Sequence, residues 1–445
     1  MDTSTIVLTR KRTNFRWAIV VFLFIVTAIN YGDRATLGIA GKSMQTALGF
    51  DAAAMGWVMS SFGIAYVIGQ LPGGWLLDRF GSKRVYFCSI FFWSIFTLLQ
   101  GSVYFFTGAW AIIMLFTFRF LMGFAEAPSF PGNSRITAAW FPAKERATAV
   151  AIFNSAQYFA TVIFAPIMGW LTFEFGWQAV FWFMGLIGIL ISFVVLLMIR
   201  NPKDHPLANS AEVEYIAQGG GLVDMDQQAC ADDEKAQGPK LNYLAQLLKN
   251  RMLLGVYLGQ YCINVLTFFF ITWFPIYLAT ERGLNIKEVG FAAAIPAICG
   301  FVGGLSGGVC SDFLMRKTHS LSIARKTPIV MGMLFSMTMI FCNYVDSVVW
   351  VIAFMSMAFF GKGFGALGWA VMADTAPKEI CGLAGGLFNM CGNASSIISP
   401  IIIGYIVAIS GRFEWALVFV AAHALLAAFS FLFIVGPIKR MELKK

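Results

Sequence analysis

Charge is the scarcest commodity in this sequence. Asp, Glu, Lys and Arg make up only 12% of its 445 residues, about half the share found in soluble domains. A large water-facing surface is hard to build from so few charges. Histidine is nearly missing: His205 and His319 lie in polar loops, and His423 sits in an apolar run, where packing is expected and a proton relay is the alternative. The eight cysteines (88, 230, 262, 299, 310, 342, 381 and 391) form no C-x-x-C pair, which fits neither a disulfide framework nor a metal site. No nucleophile-His-acid set and no metal-ligand cluster is present, so a membrane enzyme is disfavoured. The formal charge of +9 comes from 32 basic against 23 acidic residues, without the clustering that a nucleic-acid surface requires. What abounds is apolar: 58% hydrophobic residues, 16% aromatic. The composition points to one membrane-embedded body.

A span needs about 20 mostly apolar residues. Such runs occur near 17–37, 54–77, 85–105, 108–130, 147–172 and 177–199, and again near 252–280, 288–311, 327–346, 348–373, 382–410 and 414–436. The first is too long for a cleavable signal and lacks a small-residue cleavage site. Twelve helices in two groups of six are predicted. The parts are a tail (1–16), a six-helix bundle (17–200), a linker (201–250), a second bundle (251–437) and a closing tail (438–445).

Basic residues orient the chain. Arg10, Lys11, Arg12 and Arg16 precede the first span; Arg79, Lys83 and Arg84 follow the second; Arg135, Lys144 and Arg146 follow the fourth. More lie in the linker, after the eighth span (Arg316, Lys317, Arg325, Lys326) and in the closing tail (Lys439, Arg440, Lys444, Lys445). The alternate loops hold only Lys42, Arg282, Lys287 and Arg412. The positive-inside rule then puts both termini and the linker in the cytoplasm. The linker, with Pro202, Pro206, three glycines at 219–221 and an acidic run at 232–234, is too poor in apolar residues for a core. A short surface helix is expected near 241–250.

The halves repeat each other. Gly74-Trp-Leu-Leu-Asp78-Arg79-Phe-Gly81-Ser-Lys83-Arg84 has a weaker copy in Gly308-Val-Cys-Ser-Asp312-Phe-Leu-Met-Arg316-Lys317, the aspartates 312 − 78 = 234 apart. Pro142 and Asn154 match Pro377 and Asn389, where 377 − 142 and 389 − 154 both give 235. Duplication of a six-helix unit explains both offsets. Such pseudo-symmetry places a binding site between the halves near mid-membrane.

The loop from Gly74 to Arg84 resembles the signature of the major facilitator superfamily. Within it the chain resembles the anion:cation symporter branch, through Asn30-Tyr-Gly-Asp33-Arg34-Ala-Thr, Gly123-Phe-Ala-Glu126-Ala-Pro-Ser-Phe-Pro131 and Trp140-Phe-Pro-Ala-Lys-Glu145-Arg146. The stretches Phe153-Asn-Ser-Ala-Gln157-Tyr, Phe269-Phe-Ile-Thr-Trp273-Phe-Pro and Phe360-Gly-Lys362-Gly-Phe-Gly-Ala-Leu-Gly-Trp369 are similar to those of bacterial glucarate/galactarate transporters. The resemblance implies an all-α membrane protein of two pseudo-symmetric bundles, in a bacterial inner membrane, with no cofactor beyond coupling protons. It implies proton-driven uptake of a sugar-diacid anion by alternating access, and a monomer is expected. Another organic anion (galactonate, hexuronate, tartrate) is the alternative cargo, and exchange the alternative mode.

Five ionisable residues fall inside the spans: Asp33, Arg34, Arg119, Glu126 and Lys362. Each costs several kcal/mol there unless it faces a cavity or a partner. Arg119 and Glu126, seven apart, share a helix face at depths about 10 Å apart, either lining a cavity or pairing with other helices. The resemblance gives Glu126 a part in proton coupling, leaving Arg119 to tune it or hold an anion. Asp33 and Arg34 are adjacent and project about 100° apart, so they cannot face one neighbour. The resemblance favours Arg34 as a carboxylate clamp, suited by its planar bidentate geometry; snorkelling is its alternative. Asp33 is a second protonatable group.

Lys362 stands where the resembling galactonate transporters, with their one-carboxylate substrate, have a neutral residue. Aldarates carry two carboxylates, so Lys362 is expected to hold the end that Arg34 does not. Neutralising a neighbouring acid or helix end is the alternative. By resemblance, Tyr31, Tyr66, Gln157, Trp369 and Asn389 complete a sugar-acid site. Asp78, Arg79, Arg84, Glu145, Arg146 and Asp312 are expected to latch the halves at their cytoplasmic ends, against a purely topogenic role for the basic ones.

Overall fold

The computed structural model describes residues 12–224, 241–377 and 381–443, all helix and loop. Among the described residues, twelve helices are long and apolar enough to cross a membrane. In the first half, spans 1 to 6 are Phe15–Leu48, Ala52–Gln70, Ser82–Phe105, Gly108–Trp140, Thr148–Phe175 and Trp177–Met198. In the second, spans 7 to 12 are Arg251–Glu281, Ile286–Thr318, Leu321–Tyr344, Val348–Thr375, Ala384–Ser410 and Glu414–Ile434. Apolar runs set the spans, and local chemistry sets their ends. Span 1 stops at Gly49, whose φ of 70° suits a residue without a Cβ. Asp51 then accepts from Ala54 N and starts span 2, and Asn285 with Glu288 forms a capping box for span 8.

The halves touch where span 1 meets span 7, a Cβ on Gly38 running into Ile271 O, and through two repeat-related crossings. Span 2 lies on span 11, where a Cβ on Gly56 would sit 2.6 Å from Pro400 O and one on Gly404 2.6 Å from Ala52 O. Span 5 lies on span 8, where a Cβ on Gly290 would sit 2.5 Å from Ala165 O. Backbones approach this closely only without side chains. In both crossings the glycine meets a helix at its proline, Pro400 or Pro166. Both lie towards the face away from the chain termini. On the terminal side, among the described residues, nothing lies within 4 Å of a Cβ added at Gly74 or Gly386, and Trp75 and Trp369 are exposed. The halves are closed on one face and parted on the other.

The early linker is better ordered than its composition suggests. A short helix, Ser210–Gln218, is capped by Asn209. Its Glu212, fully buried, accepts from Phe15 N at 3.0 Å, Arg16 N at 3.2 Å and Thr13 Oγ1 at 2.6 Å. The linker thus caps the unpaired N–H groups that open span 1. His205, expected in a polar loop, is buried and stacks on Phe15 at 4.3 Å. The helix expected near 241–250 is Leu241–Lys249.

Among the described residues, the expected latch side chains make no ion pair between the halves. Glu145 pairs with Arg16 of its own half at 2.9 Å and accepts from Tyr215. Arg146 donates to the Ala138 and Phe141 carbonyls within its half and to the Gly220 carbonyl of the linker. Arg79 lies over Trp75 and Phe80, while Arg84 and Asp312 are exposed. The side chain of Asp78 lies outside the described residues.

Candidate functional site

Span 1 delivers Tyr31, Asp33 and Arg34 to the middle of the first half, span 4 delivers Arg119 and Glu126, and span 2 delivers Tyr66. Arg34, 5% exposed, donates from Nε at 2.7 Å and from Nη2 at 2.5 Å to one oxygen, Oε1 of the fully buried Glu126. Three rings surround the guanidinium carbon: Tyr31 at 4.8 Å, Tyr66 at 4.8 Å and Phe62 at 4.9 Å. Such faces stabilise a cation held out of water. Burial would be costly for either charge alone, and pairing offsets it.

Arg119 does not pair with Glu126 despite sharing its helix. Its Nη2 donates to Arg34 O at 3.2 Å, while Nε and Nη1 have no hydrogen-bond partner among the described residues. Asp33 points away from Arg34, as adjacency on a helix requires. It is fully buried and accepts from Trp93 Nε1 at 3.0 Å, with Oδ1 unpartnered among the described residues. Above Arg34 the cavity shared by Phe62, Arg119, Thr272, Ser396 and Pro400 measures about 10 Å³, room for a single water. That is the seal. Beyond it, a depression of about 310 Å³ around Lys42, Gln45, Trp273 and Phe413 opens on the far face.

Lys362 comes from the other half. It is 4% exposed and has no ion-pair partner among the described residues. Its Nζ lies 3.4 Å from the hydroxyl of Tyr158, a residue of span 5, and over the rings of Tyr158 at 4.9 Å and Phe359 at 5.3 Å. Gln157, Tyr158's neighbour, is half-buried. Trp369 is 54% exposed and edge-on to Phe388 at 4.8 Å. Asn389 Oδ1 accepts from Asn393 at 3.0 Å, and Gln260 donates to Asn264 at 3.1 Å. A carbon added at Gly368 would meet Gln260, so these amides border the segment carrying Trp369.

Sequence reasoning missed Phe62, Trp93, Tyr158, Gln260 and Asn264. Phe62 had a signal, one turn before Tyr66 on the same helix face. So had Gln260 and Asn264, a polar pair at helical spacing in an apolar run. Trp93 and Tyr158 had none, because their roles depend on partners from other helices.

Two six-helix bundles related by a repeat, with buried ionisable side chains where they meet and one face closed, define a secondary transporter. The chain belongs to the major facilitator superfamily: the Major Facilitator Superfamily profile matches residues 23–365. It is a multi-pass membrane transporter, not an enzyme. It is 65% identical to the Escherichia coli (strain K12) protein named "Probable galactarate/D-glucarate transporter GudP", over 98% of this chain and 96% of that one. It is 60% identical to the Bacillus subtilis (strain 168) protein of the same name, over 98% and 95%. The xylose transporter XylE from E. coli, in an inward open structure, shares the fold, with a TM-score of 0.69 at 15% identity over 95% of this chain and 97% of that one.

Proposed function

We propose that the protein takes up galactarate and glucarate with protons, across the inner membrane of a bacterium, with both termini in the cytoplasm. The distribution of basic residues supports that orientation, and with it the parted face is the cytoplasmic one. The observation that carries the substrate reading is Lys362: a buried ammonium with a hydroxyl and two rings for company, where a carboxylate is the natural complement. Arg34 takes the other carboxylate, and the relatives' names agree with a diacid.

Coupling follows from competition. Glu126 occupies the same guanidinium edge that a substrate carboxylate needs, so protonating Glu126 releases Arg34 to the anion. Asp33, held by Trp93, is the second proton carrier. A dianion moving inward against about 100 mV costs about 2 × 2.3 kcal/mol, and two protons cancel that charge. Arg119 adds positive charge beside Arg34. Tyr31, Tyr66, Gln157, Trp369 and Asn389 supply rings, hydroxyls and amides for the sugar chain.

Uptake of labelled galactarate into proteoliposomes tests this reading. Accumulation driven by an inward proton gradient and abolished by a protonophore is expected. Equal uptake with and without the gradient would refute proton coupling, and no uptake would refute the substrate.

A further inference from the structure

Spans 4 and 10 end in the same way. Phe141 N donates to Thr137 O at 3.0 Å and Ala376 N to Met372 O at 2.9 Å, and both pairs keep the repeat offset, since 376 − 141 and 372 − 137 give 235. Pro142 and Pro377 follow and stop the helices. The last carbonyls of each helix need donors from elsewhere.

In the first half Arg146, on the next helix, supplies them. Its Nη2 lies 3.4 Å from Ala138 O, 3.4 Å from Phe141 O and 3.0 Å from Gly220 O. The repeat partners of the two helix-end carbonyls are Ala373 and Ala376, because 373 − 138 and 376 − 141 give 235. These too are capped by a guanidinium: Arg440 Nη2 lies 3.1 Å from Ala373 O and Nη1 2.9 Å from Ala376 O. Yet the repeat partner of Arg146 is Cys381 (381 − 146 = 235), and a thiol is too weak and too short a donor to serve two carbonyls. The closing tail brings the guanidinium instead. Ile438 N holds it to Ser322 Oγ at 2.7 Å and Met441 N to Thr375 O at 2.9 Å.

We infer that the C-terminal tail is a working part of the second half, with Arg440 a positioning residue that replaces in trans the helix-end cap Arg146 provides in cis. The capped segment, Gly368–Thr375, follows a break at Gly365–Leu367 and carries Trp369, so its far end needs an anchor of its own. A cation at a helix C-terminus opposes the carbonyl dipoles as well as bonding them. Because the cap sits on the parted face, its loss should slow the exchange between states and leave substrate affinity alone.

The test is a three-variant set in the full chain: Arg440→Ala, Arg440→Lys, and Arg440→Ala with Cys381→Arg. Galactarate uptake and amide hydrogen exchange of residues 368–376 are both read. For Arg440→Ala, kcat should fall about fivefold with KM unchanged, and exchange in 368–376 should quicken. Arg440→Lys should recover part of both. Cys381→Arg, by rebuilding the first half's arrangement in the second, should restore both. Wild-type kcat and exchange in Arg440→Ala would overturn the inference. So would a folded double variant that recovers neither quantity. If the unaltered protein takes up no galactarate, the substrate reading fails while the exchange measurement still decides the role of Arg440.

Discussion

Arg34 places two of its N–H groups on a single oxygen of Glu126, at 2.7 and 2.5 Å, in a pocket with three aromatic rings around the guanidinium. The group best suited to hold an anion is thereby held by the group best suited to carry a proton. Under the proposed function, proton and substrate compete for one side chain, and coupling would need no longer relay.

Glu126→Gln tests that competition. The amide cannot ionise, so Arg34 stays available at every pH. Galactarate binding by the unaltered protein should weaken as pH rises, and binding by the variant should depend on pH far less across the same range, with Asp33 the one carrier left. Gradient-driven accumulation should fall sharply in the variant, one of its two proton carriers being gone, while counterflow exchange persists. Intrinsic tryptophan fluorescence titrations from pH 6 to 8 read the first, and vesicle assays the second. A variant with the unaltered protein's pH dependence would remove Glu126 from the mechanism.

The seal offers a second handle. A Cβ at Gly404 would lie 2.6 Å from Ala52 O and 3.2 Å from the Cα of Gly56, both backbone atoms that cannot rotate away. Gly404→Val should disfavour this closed face by about 1–3 kcal/mol, the usual cost of overpacking. Ser396, against Gly63 at the same seam, becomes the reporter as Ser396→Cys in a background without other cysteines. Labelling from the far face by an impermeant thiol reagent should speed up in Gly404→Val. Unchanged labelling would show that the crossing tolerates a side chain.

The linker clasp should loosen in acid. Burial alone would raise the Glu145 carboxyl, but the Tyr215 hydroxyl and the Arg16 guanidinium outweigh it and hold it below the usual carboxylate range. Burial, aided by Arg200, lowers the His205 imidazole. For both groups the undocked form binds a proton more readily, so docking weakens as pH falls. The loss begins near the ordinary histidine value of about 6.5 and continues past the ordinary glutamate value of about 4.3. Hydrogen exchange of residues 205–218 at pH 7.5, 5.5 and 4.0 should show protection falling at each step. Constant protection would mean that neither group contributes to docking.

Much of this was legible in the sequence, for physical reasons. Twelve apolar runs can do little but cross a membrane, and the offset of 235 between Pro142 and Pro377 forces two similar bundles. The five intramembrane charges were conspicuous because lipid tolerates none without a purpose. Their partners were not. Adjacency showed that Asp33 and Arg34 diverge, but only packing shows that Trp93 receives one and Glu126 the other. The seven-residue spacing set Arg119 and Glu126 on one face at different depths, with pairing to other helices as the alternative, and Glu126 does pair with Arg34 of another helix. Glu145 and Arg146 were expected to latch the halves, and in this structure Glu145 bonds Arg16 and Tyr215 while Arg146 bonds carbonyls of its own bundle and of the linker. The clasp escaped notice because its key residue, Glu212, is an ordinary surface glutamate by composition and becomes a helix cap only through folding.

Lys362 carries the central claim, so its replacement is the most direct test. Galactarate has two carboxylates and galactonate one, with otherwise similar chains. For Lys362→Asn, kcat/KM for galactarate should fall about 10- to 100-fold, the worth of a charge-assisted contact, while galactonate becomes as good a competitor as galactarate. Uptake of labelled galactarate into proteoliposomes, with unlabelled galactonate as competitor, measures both at once. A variant that keeps the unaltered protein's preference between the two acids would contradict the account and reduce Lys362 to a structural charge held by Tyr158.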